Sequence, residues 1–191
     1  LAQRLFASLP FALTGAQERV LAEILHDLAR PHPMQRLLQG DVGSGKTIVA
    51  AVAALAAIEA GHQVAVMAPT EILAEQHQAK FRQWLEPLGI EVAWLAGSLG
   101  TRERRAALEA VESGRAAVAV GTHALFQKEV AFQRLALAIV DEQHRFGVKQ
   151  RLALRYKGGD GDEIPHQLMM SATPIPRTLA MSYYADLDVS V

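Results

Sequence analysis

Residues 40–47 read Gly40-Asp41-Val42-Gly43-Ser44-Gly45-Lys46-Thr47, a G-x-x-x-x-G-K-[ST] loop with every fixed position filled. These residue types suit a phosphate chain. Gly40, Gly43 and Gly45 allow a tight turn with backbone N–H groups pointing inward, and the positive end of a following helix adds to that field. Lys46 can reach the β- and γ-phosphates, and the Thr47 hydroxyl can ligate Mg2+. A second group of candidates, Asp141 and Glu142, ends the apolar run 135–140. Asp141 is suited to hold Mg2+ through water, and Glu142 to polarise an attacking water as general base. A third is Ser171-Ala172-Thr173-Pro174, whose two hydroxyls can hydrogen-bond to an acidic loop beside them and sense a γ-phosphate. Taken singly, the acids could be a solvated turn and the hydroxyls a turn before proline. Their order behind the phosphate loop makes nucleoside triphosphate binding the better reading.

Such groups work together only if strands deliver them to one edge of a sheet. Arg36-Leu37-Leu38-Gln39 reads as a buried strand entering the loop, and the apolar run 48–58, stopped by Gly61, reads as the helix leaving it. The run into Asp141 has the unbroken apolar character of a parallel strand buried on both faces, as does Gln167-Leu168-Met169-Met170 before Ser171. Strands over 64–68 and 117–120 complete the alternation with helices. The pattern predicts an α/β domain with a central parallel sheet flanked by helices and a site at the C-terminal ends of its strands. At 191 residues and 50% hydrophobic, the chain can bury a sizeable core as one domain.

The order of the motifs resembles the first RecA-like P-loop motor domain of superfamily 2 helicases. Within that superfamily the chain is similar to the RecG family of ATP-dependent DNA helicases, which remodel branched DNA and stalled replication forks. The matching stretches are Leu13-Thr14-Gly15-Ala16-Gln17, the phosphate loop, Ala68-Pro69-Thr70-Glu71-Ile72-Leu73-Ala74-Glu75-Gln76-His77, Gly121-Thr122-His123-Ala124-Leu125, Asp141-Glu142-Gln143-His144-Arg145-Phe146-Gly147-Val148 and Ser171-Ala172-Thr173-Pro174-Ile175-Pro176-Arg177-Thr178-Leu179. They cover nearly the whole chain. The last two are shared with the Mfd-type transcription-repair coupling translocases. Gln143, where a glutamate is expected in the Mfd type, favours RecG, as does the wording of residues 71–77.

The resemblance assigns further roles. Gln17 matches the glutamine that reads adenine, and it also fits a capping box with Thr14 for a helix bearing Val20, Leu21, Ile24, Leu25 and Leu28. Gln143 and His144, with Ser171 and Thr173, match the residues that couple nucleotide state to movement. Pro69, Thr70, Thr122 and His123 match segments touching the DNA backbone, although alone they would be turns with helix caps. The resemblance implies ATP and Mg2+ as cofactors and branched or forked DNA as partner. It also implies a second motor domain in the same polypeptide and a DNA-wedge domain, neither of them within residues 1–191.

Composition adds bounds. Nineteen Lys and Arg against 20 Asp and Glu leave a formal net charge of −1, so no bulk basic field announces nucleic acid. Arg102, Arg104 and Arg105 form the densest basic cluster, but Glu103, Glu109 and Glu112 mark a solvated helix face. Trp84 and Trp94 read as core, and 157–162 as a loop. The seven histidines lack metal spacing, and there is no cysteine for a disulfide or thiolate site. The longest apolar run is too short for a bilayer and no cationic leader precedes it, so a cytoplasmic monomer is expected. A start at Leu1 suggests an excised fragment. Two readings remain at this level: a motor-type ATPase domain, and a nucleotide-binding module inactive until a second domain supplies arginines.

Overall fold

Strand residues point alternately to opposite faces of a sheet, so a strand buried on both sides must be apolar at every position. The central stretches 64–67, 118–120, 137–140 and 168–170 meet that condition. In the computed structural model, which describes residues 1–40, 45–141, 164–171 and the backbone of 188–190, the strands are β1 (Gln35–Gln39), β2 (Gln63–Met67), β3 (Glu91–Leu95), β4 (Ala116–Gly121), β5 (Leu135–Asp141), β6 (His166–Ser171) and β7 (Asp188–Ser190). They form one seven-stranded sheet in the order β3-β4-β2-β5-β6-β1-β7, every pair parallel. The parallel α/β expectation is borne out.

The alternation divides the core in two. Val64, Val66, Val118, Val120, Leu137, Ile139, Leu168 and Met170 face one layer. Ala65, Met67, Ala119, Ala138, Val140 and Met169 face the other. The first layer is covered by α1 (Ala2–Ser8), α2 (Gly15–Leu28), α3 (Lys46–Glu59) and α4 (Glu71–Leu85), and the second by α5 (Thr101–Glu112), which inserts Ala110 and Val111. Helix α3 is apolar on nearly all sides because it lies between sheet and helices, with nine of its residues buried. It stops at Gly61, whose φ of 86° is the left-handed conformation that favours glycine after a helix. Phe81 and Leu85 of α4 are fully buried, and truncating Phe81 to alanine would cost about 3–5 kcal/mol through lost contacts and a residual cavity.

Local signals in the sequence translate directly. Thr14 caps α2 through the expected box: its Oγ1 accepts from Gln17 N–H at 3.2 Å, and Gln17 Oε1 accepts from Thr14 N–H at 2.9 Å. Other features differ from expectation. Leu25 is 37% exposed on the outer side of α2. Trp84 and Trp94 are half-buried against the core rather than inside it, and Lys80 lies 5.7 Å from the Trp84 ring centroid. The Arg102–Arg105 cluster is indeed a solvated face, where Arg104 reaches Gln127 at 2.6 Å and Glu129 at 3.3 Å. The 157–162 stretch lies outside the described residues. At the N-terminal edge of the sheet, His166 Nδ1 accepts from Met34 N–H at 2.7 Å, and burial pushes its pKa down. No helix among the described residues is long and apolar enough to cross a membrane.

Candidate functional site

The phosphate loop runs between β1 and α3, as its flanks require. Gly40 ends the strand side, its N–H donating to Ser171 O at 3.2 Å, so the loop begins tied to β6. On the helix side Gly45 is the N-cap of α3 at φ 79°, with no side chain capping the first turn. That leaves helix N–H groups available to an anion, at the end where the dipole is positive. Lys46 Nζ donates to Gly40 O at 2.6 Å, which folds the ammonium back across the loop. Thr47 stands beside it in the first turn, half-buried. Asp41, Val42, Gly43 and Ser44 lie outside the described residues.

Gln17 reaches this loop from α2. A Cβ built on Gly45 would collide with the Gln17 amide nitrogen, so the side chain lies flat on the start of α3. Its oxygen serves the α2 cap while its nitrogen faces the loop, and capping and adenine contact therefore draw on different atoms of one amide. Capping draws the side chain to the start of α3.

Sheet order brings Asp141 and Ser171 to the side of the loop. Strand β6 lies between β1 and β5, so the Ser171 end is flanked by the loop on one side and Asp141 on the other. Register places Ser171 opposite Gln39 and Asp141 opposite Met170, putting Ser171 one step beyond the level of Asp141. Ser171 is 3% exposed. Asp141 shares parity with Leu137 and Ile139 and so faces the layer of α3 and α4. There Asp141 Oδ2 is 2.7 Å from His77 Nε2 of α4, a contact that residue spacing did not reveal. Glu142, Gln143, His144 and Thr173 lie outside the described residues.

A carboxylate, a hydroxyl and a lysine at the C-terminal edge of one sheet are a hard-oxygen donor set with one cation, which fits Mg2+ bound largely through phosphate and water. Among the described residues no three His, Asp or Glu converge as an all-protein metal cage.

The expected DNA segments sit together farther along the same edge. Ala68 N–H donates to Gly121 O at 3.0 Å, joining the turns after β2 and β4. Thr70 is the exposed N-cap of α4, its Oγ1 accepting from Leu73 N–H at 3.3 Å, and Pro69 beside it is half-buried. His123 is exposed, whereas Thr122 is 8% exposed. Gly121 must be glycine, since a Cβ there would strike Leu95 O of β3. Ser98 Oγ donates to Glu71, linking the turn after β3 to the first turn of α4.

Comparison with known proteins agrees with this arrangement. Residues 14–182 match the DEAD/DEAH box helicase family. The chain is 64% identical over its full length to the ATP-dependent DNA helicase RecG of Pasteurella multocida (strain Pm70) and 63% identical to that of Escherichia coli (strain K12). It spans 28% of the length of each relative. A solved structure of RecG bound to a three-way DNA junction superposes with a TM-score of 0.85 at 44% identity, covering all of this chain and 25% of that one. RecG is thereby favoured over the Mfd type.

Proposed function

This chain belongs to the DEAD/DEAH box helicase family, and we propose that it is the ATP-binding motor domain of a RecG-type helicase, coupling ATP hydrolysis to the remodelling of branched DNA and stalled forks. The observation that carries the reading is the convergence on one sheet edge of Lys46, Gln17 and Asp141, with the Thr70 and His123 turns a few strands away on the same edge. One sheet can then transmit a change at the nucleotide to the DNA-facing turns.

The division of labour follows from chemistry. Residues 40–47 cradle the phosphates with backbone N–H groups, and Lys46 exchanges Gly40 O for phosphate oxygens. Gln17 reads the adenine edge. Thr47 and Asp141 would hold Mg2+, Asp141 through water, and the ion would supply neutralisation of phosphate charge. Glu142 takes the proton of the attacking water. Gln143 and His144, with Ser171 and Thr173, register whether the γ-phosphate is present, since hydroxyls can donate to or accept from the acidic loop. Pro69, Thr70, Thr122 and His123 meet the DNA backbone. Buried Thr122 would act through its main chain, and exposed Thr70 and His123 through side chains. Contacts of this kind position a strand without reading sequence, which suits a motor that must act on any branch. Forked DNA belongs to the same reading, supported by the junction-bound RecG structure, and so do a second motor domain in the same polypeptide, a monomeric state and a cytoplasmic location.

Lys46→Ala tests it. The half-buried lysine has its ammonium on the loop and not in the core, so the fold should persist. A fluorescent ATP analogue should bind the parent with Mg2+ dependence and the variant far more weakly. Equal binding by both would reject the site.

A further inference from the structure

We propose that His77 is a positioning residue for the carboxylate of Asp141, and that through it α4 carries the state of the Pro69-Thr70 turn to that carboxylate. The proposal rests on the nucleotide and DNA reading above and adds a physical link between its two halves.

Helix α4 buries Ala74, His77, Phe81 and Leu85, a stripe at the three-to-four residue spacing of one helix face. Packing alone would put an apolar residue at each of these positions. His77 is 7% exposed, and a buried imidazole is costly unless its polar atoms are partnered. The partner is Asp141: Nε2–H donates to Oδ2 at 2.7 Å, between side chains 9% and 19% exposed. A donor at that distance fixes the rotamer of the carboxylate. Because the contact uses Oδ2, Oδ1 would be the oxygen that serves a metal-bound water. This is how outer-sphere partners commonly orient groups around a metal.

The other end of α4 is the candidate DNA edge. Thr70 is its N-cap, and His77 lies seven residues on, about 10 Å along the axis at ~1.5 Å per residue. The first turn is also held to neighbouring turns, by Ser98 to Glu71 and by Ala68 N–H to Gly121 O. A displacement of these turns by a DNA strand therefore moves the helix start as a unit. A helix is stiff over this length, and its next fixed polar contact is with Asp141. The nucleotide can thus feel DNA through α4, as well as through the hydroxyls after β6.

The test uses the full-length protein with His77→Leu and His77→Gln. Leucine keeps the packing volume and removes the donor, while the glutamine amide can still donate. The first readout is the Mg2+ concentration that half-saturates binding of a non-hydrolysable fluorescent ATP analogue without DNA. His77→Leu should raise it about ten-fold, as loss of an outer-sphere partner does, and His77→Gln should restore most of it. The second readout is the change in analogue affinity caused by saturating forked DNA, which should be present in the parent and lost in His77→Leu. A thermal melt of each variant accompanies both. A leucine variant within about two-fold of the parent in Mg2+ requirement and with its DNA response intact would overturn the proposal. So would a stable glutamine variant as impaired as leucine. Lys46→Ala separates the levels: if it too binds like the parent, the nucleotide reading fails, and if it alone loses binding, only the role of His77 fails.

Discussion

Replacing Gly45 with alanine should weaken nucleotide binding while leaving the chain folded. Two effects meet at this position. The backbone stands at φ 79°, where an L side chain costs about 1–2 kcal/mol relative to glycine. The added methyl also collides with the Gln17 amide nitrogen, which is the movable end of a side chain and can swing away. Swinging away also gives up the bond from Thr14 N–H to Gln17 Oε1, about 1 kcal/mol, so the stability loss is about 2–3 kcal/mol, a melting temperature lower by roughly 4–12 °C in a chain of this size. Binding falls as well. Gln17 must leave the start of α3, giving up its adenine hydrogen bonds at about 1 kcal/mol each, and the strained N-cap no longer presents its N–H groups at the angle the phosphates need. Together these predict an affinity for ATP lower by about ten-fold or more. The base preference should erode as well, because on the proposed reading Gln17 is the residue that distinguishes adenine from guanine. The assay is competition of ATP and GTP against a fluorescent analogue, with a melt of the same samples. Parental affinity and parental base preference in Gly45→Ala would refute the placement of Gln17 on the loop. A collapse of the fold would refute the claim that the amide can move aside.

In the full-length protein Glu142→Gln should retain ATP binding and lose most hydrolysis, because an amide cannot take a proton from water, whereas Asp141→Asn should raise the Mg2+ requirement itself. Phosphate-release rates alongside analogue binding check both, and parental turnover by Glu142→Gln would move the base elsewhere. Residues 1–191 alone should bind ATP yet turn it over slowly, since a stabilising arginine from a second domain is worth about 10³ to 10⁵ in rate; robust DNA-stimulated ATPase from this chain would refute that dependence. Stability should fall on acidification. His166 has its pKa lowered by burial, against the pull of Asp27 and with that of His62, so the unfolded chain binds the proton more readily. Its stabilisation is full above the ordinary histidine value of ~6.5 and is lost as pH falls through the lowered folded value. Nδ1 also accepts from Met34 N–H, which protonation forbids, so a flat stability between pH 7 and 5, or one unchanged by His166→Gln, would count against this account.

What could be read from the residues in order was whatever local physics specifies. The strand and helix flanking the loop at 40–47, the apolar strands into Asp141 and Ser171 and the capping box of Thr14 and Gln17 are patterns within a few residues, and each appears in the fold where its spacing places it. The edge strands β3 and β7 and the short α1 carried weaker patterns and went unread. Tertiary structure decided which local pieces touch. Only the sheet order puts β6 between the loop strand and the Asp141 strand, and only crossover of the chain brings β4 beside β2 so that two separate turns share one edge. Burial of Thr122 and exposure of Leu25 were likewise settled by neighbours distant in sequence. The contact of His77 with Asp141 joins residues far apart in the chain, on a helix and a strand whose periods are unrelated. In α4 the 3.6-residue repeat marks position 77 as core, and nothing along the chain says that the core at that point contains a carboxylate. A side chain's chemistry is local, but its partner is chosen by the packing of the whole sheet.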